Sequence, residues 1–183
     1  MSVVLHISDT HFGTEQPRVV EALVALAAQQ RPDVVVLSGD ITQRARPAQF
    51  RAAKAFVDRL GAPVVAVPGN HDIALFDLWA RFTRPYARYA KAFGAELEPV
   101  HASQDLLVVC VNTTRAWRHK NGEVSAAQIE QALERAGRPR RRGGGGIVAR
   151  CANVFARCFA KPKNDPRLEM LRTAALVEIS TGF

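Results

Sequence analysis

Three apolar runs, each closed by a small polar cluster, constrain this chain more than any other feature. Val3-Val4-Leu5-His6-Ile7 leads into Ser8-Asp9-Thr10-His11, residues 33–38 lead into Gly39-Asp40, and residues 63–67 lead into Pro68-Gly69-Asn70-His71-Asp72. β-Branched residues dominate these runs, which predicts strands. The centre of the second, Val34-Val35-Val36-Leu37, holds no polar residue, as expected of a strand covered on both faces. Helical spacing fills the intervals. Pro17 opens a stretch with Val19, Val20, Leu23, Val24, Leu26 and Ala27 as far as Gln30. Pro47 opens another with Phe50, Ala53, Val57 and Leu60 on one side and Gly61 as the stop. A β-α-β-α-β order predicts parallel pairing, right-handed crossovers and polar strand ends gathered on one rim.

Further along, residues 74–93 read as helix interrupted near Pro85. They are rich in aromatics (Phe76, Trp79, Phe82, Tyr86, Tyr89, Phe93), which suits a core or the wall of a groove. Residues 106–111 read as a fourth strand, followed by Asn112-Thr113-Thr114-Arg115. Ser125 with Gln128 forms a capping-box pattern that opens a helix with Ile129 and Leu133 inward. The character then changes at Arg138-Pro139-Arg140-Arg141-Arg142 and the four glycines that follow. Such low-complexity sequence predicts a flexible break. We divide the chain into residues 1–137, an organised α/β part, and residues 138–183, a divergent and weakly structured tail.

At 183 residues, 48% of them hydrophobic, the chain suits a single domain. No apolar stretch approaches the ~18–20 residues of a membrane span, and the N-terminus lacks the pattern of a secretory leader. Cys110, Cys151 and Cys158 form no metal-type pair, and the reading is a reduced, cytoplasmic setting. The net charge of +8 is unevenly placed. Residues 1–137 carry 15 Lys and Arg against 14 Asp and Glu, whereas residues 138–183 carry 10 against 3. Basic character confined to the tail, with few aromatics there, argues against a nucleic-acid-binding protein.

The residue types in the clusters point to metal chemistry. A carboxylate and an imidazole two residues apart, Asp9 and His11, suit a borderline divalent ion such as Mn, Fe or Zn. Asp40 has two oxygens with which to bridge two ions, and Asn70 offers a neutral carbonyl ligand. Two ions ~3.5–4 Å apart would lower the pKa of a shared water and hold a phosphoryl group for in-line attack. His71 is placed to act as the acid for the leaving oxygen, with Asp72 orienting its ring.

With these motifs in order, the chain resembles the calcineurin-like metallophosphoesterases, and within them the bacterial cyclic-nucleotide phosphodiesterase-like branch. The resemblance rests on residues 5–13, Ser38-Gly39-Asp40-Ile41-Thr42 and Pro68-Gly69-Asn70-His71-Asp72, and covers about residues 1–137. It implies a four-layer αββα sandwich, here incomplete at its C-terminal side, and a binuclear metal centre hydrolysing phosphomonoesters or phosphodiesters, cyclic nucleotides among them. Carried over by position, Asp9 and His11 resemble ligands of the first ion, Asp40 the bridge, Asn70 a ligand of the second, and His71 the catalytic histidine. The partner it implies is a small phosphate ester, with no membrane; oligomeric state is not legible.

The chain departs from the family pattern further on. The family continues with His-His-Pro and Gly-His-x-His clusters, whereas no histidine follows His119 here. His101 and His119 do not substitute by position, and His6 lies inside a strand. The expectations are therefore one retained ion and impaired turnover, with residues 138–183 arising from a shifted reading frame or a degenerate gene end. Translating the encoding DNA in the other frames past codon 138 tests that origin. The alternative class is a catalytically silent domain that binds a nucleotide or a protein.

Overall fold

The first two strands pair along their whole length, Val4 opposite Val34 through Ser8 opposite Ser38. Both polar ends therefore emerge at one level. In the computed structural model, which describes residues 2–75, 77–104, 106–118, 121–137 and 177–180, β1 (Val4–Ser8), β2 (Val34–Ser38) and β3 (Val64–Ala66) form a parallel sheet with β6 (Val177–Ser180). The strand order is β3-β2-β1-β6. The β1–β2 and β2–β3 pairings are parallel, as the β-α-β-α-β order predicts; β6, also parallel to β1, is a strand from the segment that the sequence reads as a weakly structured tail.

Alternation along the strands sends side chains to two different cores. Leu5, Ile7, Val35 and Leu37 face the helices α1 (Pro17–Gln30), α2 (Pro47–Val57) and α4 (Ala87–Phe93), joining Leu23, Ala27, Phe50, Ala53, Phe56 and Tyr89. Both α1 and α2 begin at the prolines that the sequence marks, where a missing N–H costs nothing. Val34, Val36, Val65 and Val67 face the opposite way, onto Leu106, Val108 and Cys110. These last residues belong to a hairpin of β4 (Val100–Ala102) and β5 (Leu107–Val109). Outside β5 packs α5 (Ala126–Gly137), its start closed by the expected box, in which Gln128 N–H donates to Ser125 Oγ and Ser125 N–H to Gln128 Oε1. Helices, parallel sheet, hairpin and helix make the αββα layering.

Two expectations need correction. The fourth strand does not join the parallel sheet; it pairs antiparallel with β4, a strand in the polar segment that holds His101. A polar, short strand carries no β-branched run to announce it. The interruption expected near Pro85 is present: α3 (Leu78–Thr83) and α4 are separated at residues 84–86 by the demands of Pro85 on its neighbour. The aromatic stripe also splits: Tyr89 is fully buried, with its hydroxyl donating to the Ala66 carbonyl at 2.7 Å, whereas Trp79 and Phe82 are exposed. Phe76, His119, the Arg/Gly break and residues 138–176 lie outside the described residues. Among those described, no helix is long and apolar enough to cross a membrane.

Candidate metal centre

Parallel pairing does not stop where the strands do. Beyond β1 and β2, Asp9 N–H donates to the Ser38 carbonyl (3.0 Å), His11 N–H to Asp40 (2.9 Å) and Phe12 N–H to Ile41 (2.8 Å). On the other side of β2, Val67 N–H donates to the Leu37 carbonyl at 2.8 Å. The first two clusters are thus zipped together, and the third is carried up beside them. Asp9 and His11 adopt left-handed backbone angles, φ 54° and 44°. Asp and His enter that region more readily than β-branched residues, though still at a cost, and such strain concentrates at functional sites.

Gly69 permits the closest approach. A Cβ there would sit 2.2 Å from Asp40 Oδ1 and 2.5 Å from the Gly39 carbonyl carbon. Only glycine lets the third cluster close on the second. Gly39, with φ 73°, plays the same part toward Asp9, whose Oδ1 would be 2.5 Å from a Cβ.

Asp72 locks the assembly. Its Oδ1 accepts from Thr42 N–H (2.8 Å) and Thr42 Oγ1 (2.7 Å), and its Oδ2 from Gly69 N–H (2.9 Å) and Ile41 N–H (3.1 Å). The side chain is fully buried. Burial pushes its carboxyl up to about 7, while the hydrogen bonds from Thr42, Gly69 and Ile41 pull the other way. The expected contact of Asp72 with the His71 ring is therefore corrected: its acceptor sites are spent on backbone and on Thr42. The ring is oriented by Gln43, whose carbonyl lies 2.9 Å from His71 Nδ1. A carbonyl only accepts, so Nδ1 carries the proton and the neutral ring keeps its lone pair on Nε2.

His71 also donates its backbone N–H to Asp40 Oδ1 at 2.9 Å. Its ring meets that of His11 edge to face, with centroids 5.5 Å apart. One donor atom from each of His11, Asp40 and His71 falls within 4.8 Å of the others. Asp9 stands outside this close group, its Oδ1 accepting the Asp40 N–H at 3.2 Å. The tight donor set thus pairs His71, rather than Asp9, with His11 and Asp40. The Gln43 carbonyl and the Asp40 carboxylate draw His71 in from two directions. Asn70 opens the 3-10 turn Asn70–Asp72, half-buried beside them.

His11 Nδ1 supplies the test of fit. It is buried, and it has no hydrogen-bond partner among the described residues. A buried polar atom left so costs about 1–3 kcal/mol, which an ion would offset. Two imidazoles and a carboxylate suit a borderline divalent metal, so the residues present fit one.

Sequence reading did not assign roles to Thr42 and Gln43. Thr42 lies inside the motif, where its hydroxyl was the available signal. Gln43 acts through its backbone carbonyl, which no side-chain pattern reports. His6, expected as a strand residue, is buried with Nε2 2.7 Å from Ser38 Oγ. His101 is half-buried in β4.

The sequence matches known proteins over the part that builds this rim. Residues 2–132 match the family model described as calcineurin-like phosphoesterase. The chain is 36% identical over 83 residues to the glycerophosphodiester phosphodiesterase GpdQ of Enterobacter lignolyticus, covering 38% of this chain and 29% of that protein. It is 30% identical over 152 residues to the cAMP/cGMP dual specificity phosphodiesterase MT0825 of Mycobacterium tuberculosis, covering 75% and 46%. It is 33% identical over 88 residues to the DNA double-strand break repair protein Mre11 of Saccharolobus solfataricus, covering 39% and 23%. The chain spans less than half the length of each of these relatives. A match over most of the described residues, on a rim that carries the motif side chains, means that the chain belongs to the calcineurin-like phosphoesterase family.

Proposed function

We propose that this chain is a metal-dependent phosphoesterase that hydrolyses small phosphate esters at the rim formed by Asp9, His11, Asp40, Asn70 and His71. The observation that carries the reading is the convergence of donors from His11, Asp40 and His71, with His11 Nδ1 buried and unsatisfied among the described residues. His11 and Asp40 would hold a Mn, Fe or Zn ion, with Asp9 and Asn70 flanking them. When bound, such an ion supplies a water acidified enough to attack phosphorus. Asp40 keeps one oxygen on the His71 N–H and has lone pairs to spare for a ligand. His71, held by Gln43 at Nδ1, would carry a proton on Nε2 to the leaving oxygen once protonated. Asp72 acts on none of the reacting atoms; it keeps the loops in register.

The finer reading is one tightly held ion and slow turnover, since the donor group among the described residues is of a size for one. Cyclic nucleotides and glycerophosphodiesters are the candidate esters, suggested by the names of the relatives. Metal analysis of the purified chain, with hydrolysis of bis(p-nitrophenyl) phosphate in added manganese, tests this. The expected result is close to one ion per chain and measurable hydrolysis lost in His11→Ala. Two tightly held ions would overturn the single-ion reading. A chain that purifies without metal and hydrolyses nothing would be a silent binding domain instead.

A further inference from the structure

His71 is fixed at the rim by both its backbone and its ring. The backbone N–H donates to Asp40 Oδ1 at 2.9 Å, and the Nδ1–H donates to the Gln43 carbonyl, also at 2.9 Å. The ring stands at 83° to that of His11, with centroids 5.5 Å apart. The turn that carries it is held down as well: Gly69 lies against Asp40 and the Gly39 backbone, and Asp72 joins Gly69 to Ile41 and Thr42. A proton donor to the leaving oxygen needs its proton on Nε2. Here the proton is on Nδ1, and Nε2 of the neutral ring is a ligand atom.

The donors around it are short of a third member without this ring. His11 Nδ1 is buried and has no hydrogen-bond partner among the described residues. One donor atom from each of His11, Asp40 and His71 falls within 4.8 Å of the others. Asp9, which motif position assigns to the ion, lies outside that group and already uses Oδ1 to accept the Asp40 N–H at 3.2 Å. Of the other histidines described, His6 faces Ser38 Oγ within the sheet and His101 is on β4. Two imidazoles and one carboxylate, with a position left open, are a donor set that zinc or ferrous iron accepts.

We infer that His71 is itself a ligand of the ion, through Nε2, until the phosphate of an ester takes its place, so that the residue which serves the leaving oxygen first closes the site. The exchange rests on the phosphoesterase reading above; the ligation rests on the donor geometry alone. One lone pair cannot serve an ion and a proton at once, so His71 is a ligand at rest and an acid only after release. On release Nε2 takes up a proton from solvent, and that proton later goes to the leaving oxygen. A pivot of the ring about the Nδ1–H bond to Gln43 moves Nε2 and keeps the ring anchored, so the exchange needs no movement of the loops.

X-ray absorption at the zinc edge, on the full chain loaded with zinc, counts imidazole ligands. Two are expected with zinc alone, falling to one in His71→Ala and to one in the wild type saturated with inorganic phosphate. Calorimetry gives a second reading. His71→Ala should weaken zinc binding about tenfold or more, since even the loss of a residue that only orients a ligand costs that much. It should also cost more than Asp9→Asn, whereas position in the motif implies the opposite order. The wild-type counts need no variant, and unchanged circular dichroism of the metal-free His71→Ala chain secures the comparison. One imidazole in the phosphate-free wild type overturns the inference, as do two in His71→Ala or a zinc affinity that His71→Ala leaves untouched; the acid role of His71 then stands without ligation. Two imidazoles that persist in saturating phosphate overturn the exchange, and the acid role with it. Exchange by phosphate in a chain that hydrolyses no ester upholds the inference and ends the catalytic reading.

Discussion

The sheet rim and the α3 surface lie side by side in one molecule and are built on opposite terms. At the rim, polar side chains are buried and tied: Asp72 is fully buried with four donors around it, and Gly69 lies against Asp40 with no room for a methyl group. On α3, Leu78, Trp79 and Phe82 stand in water, while Arg81 beneath them is tied to the Ala74 and Arg118 carbonyls. Buried polar networks cost stability unless complete, and complete ones leave a single arrangement. Exposed aromatics contribute little to folding and are available to a ligand. Buried polar order sits in one region and exposed apolar area in the other.

The sharpest way to break this contrast is to empty the centre of the rim. Asp72→Ala leaves four donors facing a void and should cost about 3–5 kcal/mol in urea unfolding. The same residue gives the contrast a pH signature. Its folded carboxyl is raised to about 7 from an ordinary value of 3.8, so the folded state binds the extra proton in that interval. Stability should therefore fall as pH rises from about 4 through 7 and be flat there in Asp72→Ala. Wild-type stability that rises over this window would show the four hydrogen bonds outweighing burial.

Next in size is Gly69→Ala, whose methyl group would press on Asp40 and the Gly39 backbone. A cost of about 1–3 kcal/mol is expected, with weakened manganese binding by calorimetry, because Asp40 must move. Tyr89→Phe removes the hydroxyl that holds α4 to the Ala66 carbonyl and should cost about 1 kcal/mol in thermal unfolding. Phe82→Ala, on the outer face of α3, should change stability by less than about 0.5 kcal/mol. A large loss there would mean that the exposed aromatics serve the fold, and the contrast would collapse. Cys110 offers a smaller check on the hairpin-covered core. Burial pushes its thiol up to about 12, so iodoacetamide at pH 8 should leave it unmodified until the chain unfolds.

Much of this was legible in advance. The unbroken Val34–Leu37 run predicts a central parallel strand, and β2 lies between β1 and β3. Pro17, Pro47 and the Ser125/Gln128 pair mark helix starts that the structure keeps. What escaped depends on partners distant in sequence. The β4–β5 pairing was missed because Val100-His101-Ala102 has no period of its own; its place is set by Val108 across the hairpin. Trp79 and Tyr89 read alike as aromatics, and only packing decides that one is exposed and the other buried.

The candidate metal site divides in the same way. Residue types and spacing alone point to the family and to a rim suited to metal chemistry, because a carboxylate, an imidazole and an amide at strand ends are a chemical statement that needs no coordinates. Tertiary structure decided which of them meet. It brought His71 rather than Asp9 into the close group with His11 and Asp40, gave the orientation of the ring to the Gln43 carbonyl, and turned Asp72 from a neighbour of the histidine into the anchor of two loops. The physical reason is that hydrogen bonds are won by distance and geometry. The carboxylate oxygens of the adjacent residue can face elsewhere, while a backbone carbonyl 28 positions off lies within reach.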